Sequence, residues 1–242
     1  MADVMCPEER GAKSIRYLLS RWLTLPPEAA FKDLGPSPYL NRSRRSRMHF
    51  LSEIRKPDMI RRVTMNHKIL DKTNLEDIAC LFMSVFTASE GEDEGKVIGK
   101  LASELASGID NQDIICFGTY DKESLIGSIF FTRLRFTEVI QVYMLAPVAV
   151  STKHQGKGVG QGLIQHGLHE LKSRSVAVAI TYGDPSYYSQ VGFRVLPENV
   201  IQAPLRLSMP EGWLGQSLTE QPIPPIHERP TCVKAFNDPA YW

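Results

Sequence analysis

From position 148 to position 160 the chain reads Val-Ala-Val-Ser-Thr-Lys-His-Gln-Gly-Lys-Gly-Val-Gly. An apolar strand runs into a loop with glycine at 156, 158 and 160, and the loop opens a helix over residues 161–172. The first amides of a helix lack internal partners, and the helix dipole favours negative charge there. Gly156, Gly158 and Gly160 let the backbone approach a ligand closely. Gln155 and Lys157 add a polar side chain and a positive charge. Such a loop suits a pyrophosphate. Spacing excludes two common versions of it. The chain has no Gly-x-x-x-x-Gly-Lys-Ser/Thr string, and residues 156–160 do not follow Gly-x-Gly-x-x-Gly.

A second group of residues follows about thirty positions later, Gly-Asp-Pro-Ser-Tyr-Tyr-Ser-Gln-Val-Gly-Phe from Gly183 to Phe193. Asp184 is a good N-cap and Pro185 a good first helical residue. The short helix they open carries Tyr187 and Tyr188 about 100° apart, so only one can address a given atom. A phenol has a pKa near 10 and stays a proton donor at neutral pH. Either tyrosine could instead pack in a core.

The elements around these groups follow from periodicity. Residues 64–71 read as a strand. Thr73 and Glu76 have the capping-box form ahead of a helix with Leu75, Ile78, Ala79, Phe82, Val85 and Phe86 on one face. Residues 89–94 read as an acidic turn, and 95–107 as a second helix facing inward with Val97, Ile98, Leu101 and Leu105. Two strands, 113–120 and 124–136, meet at a tight turn over 121–123, and 138–150 reads as a third long strand. Pro147 within it predicts a disturbed ladder, because proline donates no N–H. The glycine-loop helix places Leu163, Ile164, Gly167, Leu168 and Leu171 on one face, and 175–181 is a short apolar strand. This order predicts a mixed α/β domain with helices on both faces of one sheet.

The loop from Gln155 to Gly160 resembles the Gln/Arg-x-x-Gly-x-Gly/Ala loop of the GNAT acetyltransferases, and Gly183 to Phe193 resembles the short helix and Gly-Phe segment after that family's fifth strand. The Gly-Asp-Pro-x-x-Tyr wording and Val233-Lys-Ala-Phe236 are most similar to its YhbS-like subgroup. The resemblance covers residues 63–242 and implies a GNAT-like, mostly antiparallel sheet and an N-acetyltransferase. Acetyl-CoA would be the co-substrate, with no metal. Val148 and Val150 would offer backbone groups to the pantetheine arm, and Gln155, Gly156, Lys157, Gly158, Val159 and Gly160 would hold the pyrophosphate. Tyr188, four residues before Gly192, matches the tyrosine that protonates the departing sulfur, while Tyr187 packs. Direct attack by the amine is implied, and no cysteine lies near either motif.

The acceptor amine, small molecule or protein, is not specified by these residues. Glu90, Glu92, Asp93 and Glu94 hint at a cationic one, although acidic surface also serves solubility. Glu90, Glu92 and Glu138 are candidate bases, as is a water chain. His166 and His169 have i, i+3 spacing without an evident third ligand, which favours a helix surface over a metal site.

Composition sets the outer bounds. The 242 residues are 43% hydrophobic and 23% charged, and no run approaches a membrane span. Residues 1–62 carry 13 Lys/Arg against 7 Asp/Glu, whereas the remainder carries 15 against 20. A basic, poorly ordered arm is therefore expected ahead of an acidic body, which argues against nucleic-acid binding by the body. The arm contains an amphipathic piece, residues 14–23, and the run Asn-Arg-Ser-Arg-Arg-Ser-Arg over 41–47. The first twenty residues lack the apolar core of a secretory leader. Cys6, Cys80, Cys116 and Cys232 match no metal or disulfide spacing, and Cys80 and Cys116 read as small hydrophobes in a reducing, cytoplasmic setting. A homodimer is compatible with this reading. The alternatives are a non-catalytic acyl-CoA-binding regulator on the same fold and a nucleic-acid-associated protein acting through residues 42–47.

Overall fold

The computed structural model describes residues 65–242. The arm 1–62, with its amphipathic piece and its Arg/Ser run, lies outside the described residues. Seven strands form one sheet: β1 (Asn66–Leu70), β2 (Ile114–Asp121), β3 (Ser124–Leu134), β4 (Val142–Val150), β5 (Val178–Tyr182), β6 (Arg194–Val195) and β7 (Trp213–Ser217). Their order is β1-β2-β3-β4-β5-β7-β6. Every pairing is antiparallel except β4 with β5. The helices are α1 (Leu75–Glu90), α2 (Glu92–Ser107), α3 (Val159–Ser173) and the single turn α4 (Pro185–Tyr188).

Alternation along the strands divides the core between the two faces. Phe130, Met144, Ile180 and Tyr182 face α1 and α2, packing with Ile78, Phe82, Ile98 and Leu101. Ile129, Phe131, Leu145 and Ala179 face α3 and α4, packing with Leu163, Ile164, Leu168, Tyr187 and Tyr188. All nine residues of β4 are buried, as befits a strand covered on both faces. The α3 residues expected inside, Leu163, Ile164, Gly167, Leu168 and Leu171, are all buried.

Four local readings are corrected. The capping box belongs to Asp71 and Asn74, not to Thr73 and Glu76. Asp71 accepts from the Thr73 N–H at 2.8 Å, and the Asn74 side chain accepts from the Asp71 N–H, so a 3₁₀ turn precedes α1. Residues 89–94 are no loop, because only Gly91 separates the two helices. Glu92, Asp93 and Glu94 then occupy the first turn of α2, where the helix dipole favours them. β4 starts at Val142 rather than 138. Ahead of it, the Thr137 N–H and hydroxyl are drawn off to the Glu228 carboxylate, at 2.9 and 2.6 Å. Cys80 is exposed on α1, and only Cys116 of the two fills a core position.

Candidate functional site

The sheet opens at one place. β4 and β5 run side by side from Val142↔Val178 to Leu145↔Thr181, and there the pairing stops. β4 continues through Val150, and among the described residues no strand takes β5's place beside it. Its other side stays paired with β3, where Ile129 faces Val148 but Phe131 faces Leu145. Ala146 and Pro147 therefore oppose Phe130 alone, which is the disturbed ladder Pro147 predicts.

Beyond this bulge the direction of each backbone group follows from the register. The Ser151 N–H donates to the Ile126 carbonyl of the β3 side at 2.8 Å. Alternate residues of an antiparallel pair face the same neighbour, so Ala149 also faces β3. Val148 and Val150 consequently turn their N–H and C=O groups to the open side. These are the two residues expected to meet an extended ligand. The Val150 carbonyl is engaged by the Gln155 side-chain amide at 2.9 Å.

The open edge leads into the glycine loop. Gly156 and Gly158 have φ of 69° and 78°, which excludes most other residues. A Cβ at either would meet nothing within 4 Å, so the backbone conformation, not crowding, requires glycine there. Gly158 is the N-cap of α3, no side chain caps the helix, and its first turn contains no acid. The amides of Val159 and Gly160 thus begin a helix end with the character of an anion cradle. Two polar side chains behave otherwise than expected. Gln155 is turned back onto β4, and Lys157 Nζ onto the Lys153 carbonyl at 2.7 Å. What the loop presents outward is chiefly backbone.

Asp184 and Pro185 open α4 as expected, with Asp184 Oδ1 accepting from the Ser186 N–H at 2.8 Å. Tyr187 and Tyr188 are each 2% exposed, with ring centroids 5.1 Å apart and planes at 81°. Tyr188 lies close enough to Thr181, the last β5 residue paired with β4, for that hydroxyl to act on its pKa. The Thr181 hydroxyl donates to the Leu145 carbonyl at 2.9 Å. Tyr188 is thereby placed near the point where the strands diverge. Burial pushes its pKa up to about 12, offset in part by Thr181. Thr181 carries no sequence signal of its own. It is missed because the carbonyl its hydroxyl binds, that of Leu145, is 36 residues away.

The other candidates are elsewhere. Glu92 pairs with Lys96 at 2.9 Å on the surface of α2. Glu138 is exposed in the connection before β4, at the opposite end of that strand from Val150. Glu90 ends α1, and its charge helps raise the pKa of Glu94, after burial. His166 stacks on His67 of β1 at 5.0 Å, His169 is exposed, and no metal-binding cluster occurs among the described residues. No described helix is long and apolar enough to cross a membrane.

Comparison with known proteins agrees with this geometry. The acetyltransferase (GNAT) domain family matches residues 67–196, more than half of the chain. The uncharacterized N-acetyltransferase YjhQ of Escherichia coli is 29% identical over 171 residues, 66% of this chain and 90% of YjhQ. The uncharacterized N-acetyltransferase YhbS of the same organism is 35% identical over 78 residues, a match spanning 32% of this chain and 47% of YhbS. The crystal structure of YhbS with CoA superposes on 72% of this chain and 92% of its own, with a TM-score of 0.60 and 21% identity. A GNAT family acetyltransferase from Brucella melitensis, in complex with acetyl-CoA, covers 72% of this chain and 99% of its own, with a TM-score of 0.56 and 18% identity. With its sheet parted between β4 and β5 above a glycine-rich helix start, the chain is an acyltransferase and belongs to the GNAT acetyltransferase family.

Proposed function

We propose that the protein binds acetyl-CoA in the β4–β5 fork and transfers the acetyl group directly to an amine, small molecule or protein, with Tyr188 as general acid. The observation that carries this reading is the open edge of β4, with Val148 and Val150 facing outward and leading into an uncapped helix start. Two structurally similar proteins bind CoA and acetyl-CoA, which supports the same ligand here. The pantetheine arm would lie along Val148 and Val150 as an added strand, releasing the Val150 carbonyl from Gln155. The pyrophosphate would rest on the backbone amides of residues 156–160.

In the reaction the amine lone pair attacks the thioester carbon, and the carbonyl electron pair moves to oxygen. Backbone N–H groups near Val148 stabilise that oxyanion. When it collapses the carbon–sulfur bond breaks, and the sulfur takes a proton from Tyr188. The proton lost by the amine goes to solvent, from which Tyr188 is reprotonated. A phenol with a pKa of about 12 stays protonated at any working pH, so the donor is always present. Holding thioester and amine together supplies much of the remaining acceleration. We place the reaction in the cytoplasm, the reducing compartment that suits the free thiols of Cys80, Cys116 and Cys232.

Calorimetry of acetyl-CoA with the full chain, Gly158→Asn and Gly158→Glu tests the binding site. Asparagine tolerates positive φ without adding charge, whereas glutamate sets a carboxylate against the phosphates. Micromolar affinity is expected in the first two and none in the third. No binding to the full chain, or equal binding to all three, overturns the reading. Binding without acetyl transfer to any amine would leave an acyl-CoA-binding regulator.

A further inference from the structure

Tyr187 is fully buried, yet its hydroxyl has no hydrogen-bond partner among the described residues. Tyrosines placed inside a protein normally give the O–H a partner, because an unmade bond leaves the desolvation of the group uncompensated. The ring itself packs in the layer that contains Leu145 and Val148 of β4 and Leu163 and Ile164 of α3. Its neighbour Tyr188, 5.1 Å away between centroids, lies beside Thr181 at the fork. The Tyr187 hydroxyl lies within electrostatic reach of Tyr188, which adds to burial in pushing its pKa far up. Thr181 has no capacity to donate to it, because its one proton goes to the Leu145 carbonyl. A buried phenol that does not ionise is therefore held beside the fork, lacking only an acceptor.

We propose that this acceptor is the acyl-thioester arm of the co-substrate, so that Tyr187 is a second ligand-binding tyrosine next to the proposed acid Tyr188. The inference rests on acetyl-CoA occupying the fork. The arm brings what the site lacks, since its thioester and amide carbonyls accept hydrogen bonds and an apolar wall does not. The nucleotide end, at the glycine loop, has no part in the contact.

Phenylalanine removes the hydroxyl and leaves the ring, so Tyr187→Phe tests the idea in the full chain with little risk to folding. Thermal unfolding of the free protein and calorimetry with acetyl-CoA and with adenosine 3′,5′-bisphosphate are the measurements. The expected result is an unchanged or raised Tm for the free variant. Its Kd for acetyl-CoA should rise about tenfold, the scale of one hydrogen bond, with the bisphosphate affinity unaltered. A lowered Tm would mean that the hydroxyl has a partner in the free protein, and would overturn the proposal. Equal acetyl-CoA affinity would do the same, as would parallel weakening of both ligands. Failure of the unaltered protein to bind acetyl-CoA is a separate result, since it removes the fork reading itself.

Discussion

Two of the buried aromatic groups among the described residues, on opposite faces of one sheet, are built to different rules. On the α1–α2 face Tyr182, Trp213 and Trp242 pack with centroids 6.1–6.3 Å apart. Every polar handle there is used within the protein. The Tyr182 hydroxyl meets Ser208 Oγ at 3.0 Å and accepts the Met209 N–H at 2.9 Å. Trp213 donates to the Ile201 carbonyl at 2.9 Å and Trp242 to the Phe236 carbonyl at 2.8 Å. On the α3–α4 face Tyr187 has an unpartnered hydroxyl, and Tyr188 lies near the point where β4 and β5 part. Both groups are apolar and buried, so burial alone does not separate them. Satisfaction of the polar atoms does: it fits the first to a structural core and the second to the ligand site proposed above.

Stability should depend on the first group and chemistry on the second. Trp213→Ala is expected to have the largest effect, a loss of about 3–5 kcal/mol, because it empties a fully buried volume and orphans the Ile201 carbonyl. Urea unfolding measures it. Acetyl-CoA affinity per folded molecule should be unchanged, and a tenfold loss would break the distinction. Tyr188→Phe is the converse. Acetyl transfer, followed as thiol release, should fall about hundredfold, within the usual range for a positioned acid. Unfolding should shift by less than about 1 kcal/mol, since only the hydroxyl is removed and the ring is kept. A variant with full turnover would remove Tyr188 from the mechanism.

Thr181 sharpens the comparison, because it belongs to the sheet yet lies beside the proposed acid. Thr181→Val should lower turnover roughly tenfold with acetyl-CoA affinity retained, as the phenol loses the neighbouring hydroxyl that favours release of its proton. Thr181→Ser should restore the rate. If serine were as poor as valine, the methyl group and its packing would matter rather than the hydroxyl. A changed pH dependence in the valine variant alone would assign the effect to proton handling.

How far the sequence carries also differs between the two regions. The glycine loop is legible because its chemistry is local, with positive φ at 156 and 158 and a helix start within five residues. Alternation and helical spacing likewise reveal β2 to β5 and the buried face of α3. The α4 cap is readable from Asp184 and Pro185. What stays hidden depends on distant partners. The start of β4 is set by Glu228, 91 residues from Thr137. The orientation of the Thr181 hydroxyl is set by Leu145, 36 residues away. Gln155 looks like a ligand group by type, and only the folded loop reveals its bond to Val150. The choice between Tyr187 and Tyr188 has the same origin, since adjacent identical residues differ only in what the sheet brings to them.

The smallest effect concerns alkaline pH, and its sign follows from which state holds the proton. Phenols ionise near pH 10 in an unfolded chain, whereas burial raises Tyr188 to about 12 and raises Tyr187 as well. Above pH 10 the folded protein therefore binds more protons than the unfolded one, and stability falls as pH rises. The contribution of the two groups is fully present below pH 10 and is lost progressively above it, by about 1 kcal/mol per tyrosine at pH 10.5. Urea unfolding at pH 9 and pH 10.5 should expose this loss in the unaltered protein, and a smaller loss when both residues are phenylalanine. An identical loss in the two proteins would mean that neither phenol is held protonated by the fold. Turnover at saturating substrate should meanwhile show no falling alkaline limb from Tyr188 up to pH 10, because the acid remains protonated there. Such a limb centred near pH 10, abolished in Tyr188→Phe, would instead mean that the phenol is solvated when the ligand is bound, and would move Tyr188 out of the buried group.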